Sequence, residues 1–555
     1  MKNYSYLLTG LLLLLLTACQ EAPKTVDNAS ETPTTESNSL KPFIKGTYFE
    51  GANGVFFDKD DQLHVASVTG RKIGVVDTKT GEIIKAYGPE EGVDGPDDLT
   101  IGPDGSIYHT NLLMGIVGRR TPAGEVTQQF VAPGVNPITF SEDGRLFVAL
   151  DFSGDGLYEL DPALKNPPRL IIKELGWLNG MDFGPDGLLY GPIWSKGQIV
   201  KIDVDKAELT VLVDDLKTPA AVKFDAKGNL WTVDHDTGIV WKIDPKTGDK
   251  TEVATVFGGA DNLALNSKDE LFISSAQDGG LIQVNMDGTT RTILDNSFCN
   301  AGDVEIINNA LWMPDILSLK SFDKNSGTPN ATYRHMIGQP GVIGPFTIDH
   351  EGDHLILSSW FSNAVQIWDV KENKEVANHH DFPVPINAIS ANGHLIVAAL
   401  GAAPGAAQII RQIGEEREVL MDAAKGLAVP AGLAASNGNV YVSDFFLGKV
   451  YQITEKETVL AEPKVILEGL KQPEGLQIGP KGNLLVVETG ANQVLSVNLE
   501  NGEKSVLVAD VPLGMAGMPK MPPTWKLSDV AYDAEGNLYV PSDVDNTVYK
   551  FENVF

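Results

Sequence analysis

Apolar residues in this chain alternate with polar ones in short runs, broken by Pro-Asp-Gly, Asp-Gly or Lys-Gly turns. Residues 178–187, Leu-Asn-Gly-Met-Asp-Phe-Gly-Pro-Asp-Gly, show the unit most cleanly. Met181 and Phe183 make a first alternating run, a turn fills 184–187, and apolar runs follow at 188–190, 197–203 and, more weakly, 209–213. Period-two alternation between tight turns predicts consecutive antiparallel hairpins and not helices. The unit returns about every forty residues from near Gly51 to the C-terminus, the spacing of a four-stranded propeller blade.

The opening runs fall at 54–58, 98–102, 137–141, 180–184, 221–225 and 262–266. They continue at 302–306, 345–349, 388–391, 432–435, 475–479 and 529–533. That makes about twelve blades, whereas one ring usually holds roughly four to eight. The pattern predicts an all-β chain of two tandem six-bladed β-propellers, residues 43–300 and 301–555, with a seam near 299–302. A seven-plus-five division stays open at this stage, because the unit around 303–322 is degenerate, and so does the choice of ring-closing strand.

The N-terminus breaks the pattern. Lys2 precedes an apolar core at 7–16, followed by Leu16-Thr17-Ala18-Cys19. The core is shorter than the roughly 20 residues that a membrane span needs, so it reads as a signal segment over 1–18. Leu-Thr-Ala-Cys resembles a bacterial lipobox, which implies cleavage before Cys19 and lipidation of that residue. By resemblance to Gram-negative sorting rules, Gln20 after the cysteine implies an outer-membrane anchor facing the periplasm or the cell surface. Residues 19–42 are rich in Thr, Ser, Glu and Asn and nearly lack large apolar side chains, so they read as a disordered tether.

The formal net charge is −31, which argues against nucleic acid as a partner and leaves the membrane in contact only through the lipid anchor. The two cysteines are Cys19 and Cys299, so with Cys19 lipidated the fold rests on no disulfide.

Candidate chemistry gathers where inner strands open onto a propeller axis. Aligning the blades on their first apolar run puts Asn53, Asp97, Asn136, Asn179, Ala220 and Asp261 at the first ring's openings. Five of these six are Asn or Asp, a set of hard oxygen donors suited to one divalent cation, Ca²⁺ before Mg²⁺, Mn²⁺ or Zn²⁺. Asn and Asp also cap turns at strand starts. Turns after the second strands bring His64, His109, Asn111, Asp151, Trp194, Asp234 and His235 to the neighbourhood as substrate-binding or acid–base candidates. His235, between Asp234 and Asp236, is a candidate general acid or base beside Asp261.

At these positions the chain resembles the senescence marker protein / gluconolactonase / luciferin-regenerating enzyme family of six-bladed propellers. Asn179-Gly180-Met181 and the turn Pro185-Asp186-Gly187 match that family's Asn-Gly-Leu/Met and Asp-Gly motifs, and Asp97-Asp98-Leu99 meets its Asn-Asp-Gly motif in part. Asn53 stands where the family has a Glu ligand; the family's Asp ligand falls on Ala220, with Asp261 as its apparent replacement. The resemblance covers the first ring and only generally the second. It implies a cation that polarises a lactone or ester carbonyl, or a phosphoryl group, for hydrolysis of a small-molecule substrate.

In the second ring, Asn387, Ala431, Glu474 and Ser528 read as opening residues, one carboxylate and one amide, so this ring reads as structural or as a surface for a protein partner. Residues 401–407 lack the Lys-Ser/Thr of a P-loop, no Gly-x-Ser-x-Gly elbow occurs, and the Met- and Pro-rich stretch 515–523 reads as a lid or packed loop. Residues 118–125, Gly-Arg-Arg-Thr-Pro-Ala-Gly-Glu, are similar to repeats of virginiamycin B lyase. Three functions follow: a metal-dependent lactone or ester hydrolase, a lyase of that kind, or a non-catalytic scaffold binding a protein or glycan.

Overall fold

The computed structural model describes residues 40–335, 340–519 and 521–555. The expected signal segment, Cys19 and most of the tether lie outside them. Strands dominate; the helical elements among the described residues are four single 3₁₀ turns, at Pro89–Glu91, Trp194–Lys196, Ala423–Lys425 and Thr489–Ala491. None is long and apolar enough to cross a membrane.

The strands form twelve four-stranded antiparallel sheets, divided between two compact units. In Gly46–Asn300, six sheets each use four consecutive strands. Their inner strands are Ala52–Phe57, Leu99–Ile101, Val135–Phe140, Asp182–Phe183, Pro219–Phe224 and Ala260–Leu265. The ring closes without strand exchange: Ser274 Oγ of the sixth blade donates to the Asn53 carbonyl of the first at 2.6 Å. Apolar side chains fill the space between blades, as where Trp231 and Val233 of the fifth blade pack with Leu263, Leu271 and Ile273 of the sixth.

The second unit, Ala301–Phe555 with the strand Pro42–Lys45, also has six sheets. The inner strands are Glu305–Ile307, Thr347–Glu351, Pro385–Ala391, Pro430–Ser436, Pro473–Ile478 and Ala531–Tyr532. Its sixth sheet takes three strands from the C-terminal end and the fourth from Pro42–Lys45, which runs antiparallel to Thr547–Phe551 with Pro42 opposite Tyr549 and Lys45 opposite Thr547. Phe43 meets the Tyr539 ring edge-on at 5.8 Å. The sequence pattern gives Pro42 to the tether and 43–45 to the first ring; hydrogen bonding puts all four in the second. The division is six and six, and the degenerate unit is a complete sheet ending in Pro329–Arg334.

Neighbouring inner strands are stitched by buried carboxylates. Asp98 accepts the Leu99 N–H of its own blade at 2.8 Å and the Ile138 N–H of the next blade at 3.0 Å. Asp303 repeats this with Val304 at 2.7 Å and Ile348 at 2.8 Å. Gly54 is small for the same reason: a Cβ there would stand 2.5 Å from Asp98 Oδ1. The Met- and Pro-rich segment is packed. Asp543 accepts the N–H groups of Gly514 and Met515 at 2.9 and 2.6 Å, and Trp360 Nε1 of the second blade donates to the Trp525 carbonyl at 3.2 Å.

Candidate cation sites on the two propeller axes

The first-ring openings stand in common register. Each blade pairs a residue just before the opening with its second strand, as in Ala52 with Ser67, Val135 with Leu150, Pro219 with Asp234 and Ala260 with Ser275. Asn53, Asn136, Ala220 and Asp261 follow these residues directly, and Asp97 and Asn179 take the equivalent step by donating their N–H groups to Thr110 and Pro192 carbonyls.

Asn53 Nδ2 donates to Asp97 Oδ1 at 3.0 Å. Asp97 is 5% exposed, and its Oδ2 is buried without a hydrogen-bond partner. Burial holds this carboxyl well above the usual range, and the charges of Asp261, Asp98 and Asp151, from three blades, push it further. Burial, then Asp98, raises Asp261 to about 7. Asp151 also rises to about 7 by burial, opposed by the Trp194 N–H and assisted by Asp261. Asp98 rises to about 6 through burial, offset first by Lys223. An orphaned buried oxygen among carboxyls that repel one another is an arrangement that a hard cation completes, and the donor set fits one.

Other sequence candidates have different surroundings. Asp151 accepts Trp194 Nε1 with both oxygens, at 3.1 and 3.0 Å, and Trp194 stacks on Trp177 with centroids 5.3 Å apart. Phe152 joins them at 5.5 Å from Trp194. Phe152 and Trp177 have φ of 56° and 69°, left-handed values that bulky residues rarely adopt. Sequence reasoning missed both aromatics, because no motif marks them. His109 lies inside its sheet against Gly118, 2% exposed, and burial lowers it to about 4. Asn111 bridges the Asp94 carbonyl and the Met114 N–H, and Asp234 accepts the N–H groups of Lys217 and Thr218. These two side chains cap connecting segments. His235 ties its backbone to Thr218 and Gly259. His64 bonds Asp58 at 3.2 Å.

The second axis is more acidic than its opening residues imply. Glu474 Oε2 accepts the Ser528 N–H at 2.7 Å, and burial, then Asp543, lifts its carboxyl well above the usual range. Asp303 is lifted likewise by burial and Asp529, while burial brings Asp529 to about 8. Asn387 sits one step further in than the sequence alignment puts it, because Pro385 pairs with Ala399 as Ala52 does with Ser67. Deeper still, Glu305, Asp349 and His350 form the one trio of Asp, Glu, His or Cys among the described residues whose donor atoms lie within 4.8 Å of one another. Glu305 Oε2 is 3.1 Å from His350 Nδ1, and Gln477 Nε2 donates to Glu305 Oε1 at 3.0 Å. Burial, then Glu305, raises Asp349 to about 7, and the Glu305 hydrogen bond raises His350. Counting only opening residues therefore undercounts this ring's acids.

No protein-family profile and no curated protein sequence matches the chain. Among solved structures it is similar to a streptogramin B lyase, with 16% identity, a TM-score of 0.38, and coverage of 49% of this chain and 93% of that one. A candidate gluconolactonase gives 14% identity, a TM-score of 0.36, and coverage of 47% and 94%. PorZ, a surface component of the type-IX secretion system of Porphyromonas gingivalis, gives 10%, 0.38, and coverage of 92% and 86%. Such weak likenesses carry no functional weight; the sheet topology defines the class, a tandem pair of β-propellers with acidic axes.

Proposed function

We propose that the first ring binds one divalent cation, Ca²⁺ in first place, and uses it to hydrolyse a lactone or related ester. The observation that carries this reading is the buried Asp97 carboxyl, with one oxygen unpartnered and acids of three blades around it. Asp97 and Asp261 would supply the charge, and Asn53, Asn136 and Asn179 neutral oxygens. When bound, such an ion acts as a Lewis acid toward a carbonyl oxygen. Asp151 is fixed by Trp194, so it can hold or accept a proton at a defined place beside the axis, and its value near 7 suits that task. The rings of Phe152 and Trp177 offer an apolar wall for the substrate. Lipidation at Cys19, which would hold both rings on a bacterial envelope membrane, is part of the proposal.

The test is a panel of lactones and esters assayed with and without chelator. Turnover lost with chelator, restored by Ca²⁺ and abolished in Asp97→Asn supports the reading. Chelator-indifferent turnover would overturn it. Tight cation binding without turnover would favour a scaffold, and an eliminated product a lyase.

A further inference from the structure

We infer that the second ring holds an ion of its own, a first-row divalent transition metal bound by Glu305, Asp349 and His350. This goes beyond the proposed first-ring reading and does not depend on it.

The trio lies on the axis. Glu305 belongs to the first blade of this ring and Gln477 to the fifth, so the 3.0 Å hydrogen bond between them joins blades that are not neighbours. Such a contact requires both side chains to reach into the central channel. Asp349 and His350 come from the second blade, and the donor atoms of the trio fall within 4.8 Å of one another, a span that one ion can bridge. Two carboxylates with one imidazole suit Zn²⁺ or Mn²⁺ better than Ca²⁺, which prefers oxygen alone. The His350 side chain is 35% exposed, so the trio has an opening to solvent.

A second observation comes from the first ring at the same strand step, two residues beyond the carboxylates that stitch the blades. There the positions are Phe56, Thr100, Thr139, Asp182, Lys223 and Ala264. Lys223 reaches across that channel: its Nζ is 3.9 Å from Asp182 Oδ1 of the fourth blade and 6.0 Å from the Phe56 ring centre of the first. The protein thus places a cation of its own at this level of the first axis. The equivalent residues of the second ring are Glu305, Asp349, Ile389, Ala434, Gln477 and Ala531, with no Lys or Arg among them. Two acids and no Lys or Arg at this step, with His350 Nδ1 3.1 Å from Glu305 as a nitrogen that an ion would claim once its proton is lost, point to an external ion there.

The full-length chain, freed of metal by chelator, is titrated with Zn²⁺ alone. Wild type should show a Zn²⁺ site whose affinity falls at least about tenfold in His350→Asn and in Glu305→Gln, and is unchanged in Asp97→Asn. Circular dichroism and a thermal melt check folding. If a variant misfolds, wild type loaded with Co²⁺ carries the test, because a coordinated histidine gives a paramagnetically shifted ring N–H resonance. Unaltered Zn²⁺ affinity in folded His350→Asn, absence of binding by folded wild type, or Co²⁺ binding without that resonance would overturn the inference. Loss of Ca²⁺ binding in Asp97→Asn with Zn²⁺ binding retained separates the two sites.

Discussion

Replacing Asp261 by Asn should stabilise the metal-free first ring, and only above acidic pH. The Asp261 carboxyl rises from 3.8 to about 7 in the fold. In the unfolded chain it loses its proton near 3.8, so folding must either retain that proton or bury the charge. Stability is therefore fully present below the unfolded value and is lost as pH climbs toward 7. At about 1.4 kcal/mol per tenfold change in proton affinity, the full span corresponds to about 4 kcal/mol. Asp261 is only partly buried, and screening reduces the expected difference to about 2–3 kcal/mol. For a unit of this size that is a rise of about 4–12 °C in melting temperature. Melts of wild type and Asp261→Asn in chelator at pH 4 and pH 8 test it, with the ring's transition followed separately because two units need not unfold together. The variant should match wild type at pH 4 and exceed it at pH 8, and saturating Ca²⁺ at pH 8 should reverse the order. A variant less stable than wild type at pH 8 in chelator, or an equal gain at both pH values, would refute the reasoning.

Three further outcomes are expected. Gly118→Ala drives a Cβ into the His109 ring and should destabilise the first ring by about 1–3 kcal/mol in denaturant melts; an unchanged midpoint would contradict the packing. A chain starting at Gly46 loses the strand that closes the second ring, so its second-ring transition should fall or vanish while first-ring Ca²⁺ binding persists; two unshifted transitions would contradict the assigned closure. Cys19→Ser should move the protein out of the membrane fraction, and unchanged fractionation would end the lipoprotein proposal.

The blade pattern was legible because period-two alternation and Asp-Gly turns are local signals, and all six first-ring openings keep one register. Ring closure was not: Pro42–Lys45 is four residues long, and its partner lies some five hundred positions away, where no local pattern reaches. The acids divided for a similar reason. Asp98, Asp234 and Asp543 accept backbone N–H groups, whereas Asp97 leaves an oxygen unpartnered, and sequence shows only an acid at one end of a strand in each case. The trio in the second ring was hidden because Asp349 and His350 sit in Ile-Asp-His-Glu-Gly-Asp, which reads as a turn, and Glu305 joins them only through the curvature of the ring.

The central claim is a cation on the first axis, and the direct measurement is a calorimetric Ca²⁺ titration of the chelator-treated full-length chain at pH 7 in two buffers of different ionisation enthalpy. One Ca²⁺ should bind with release of protons, since burial raises the Asp97 carboxyl and brings Asp261 to about 7, and binding should be lost in Asp97→Asn but kept in His350→Asn. No Ca²⁺ binding by folded wild type, or binding unchanged in Asp97→Asn, would contradict it.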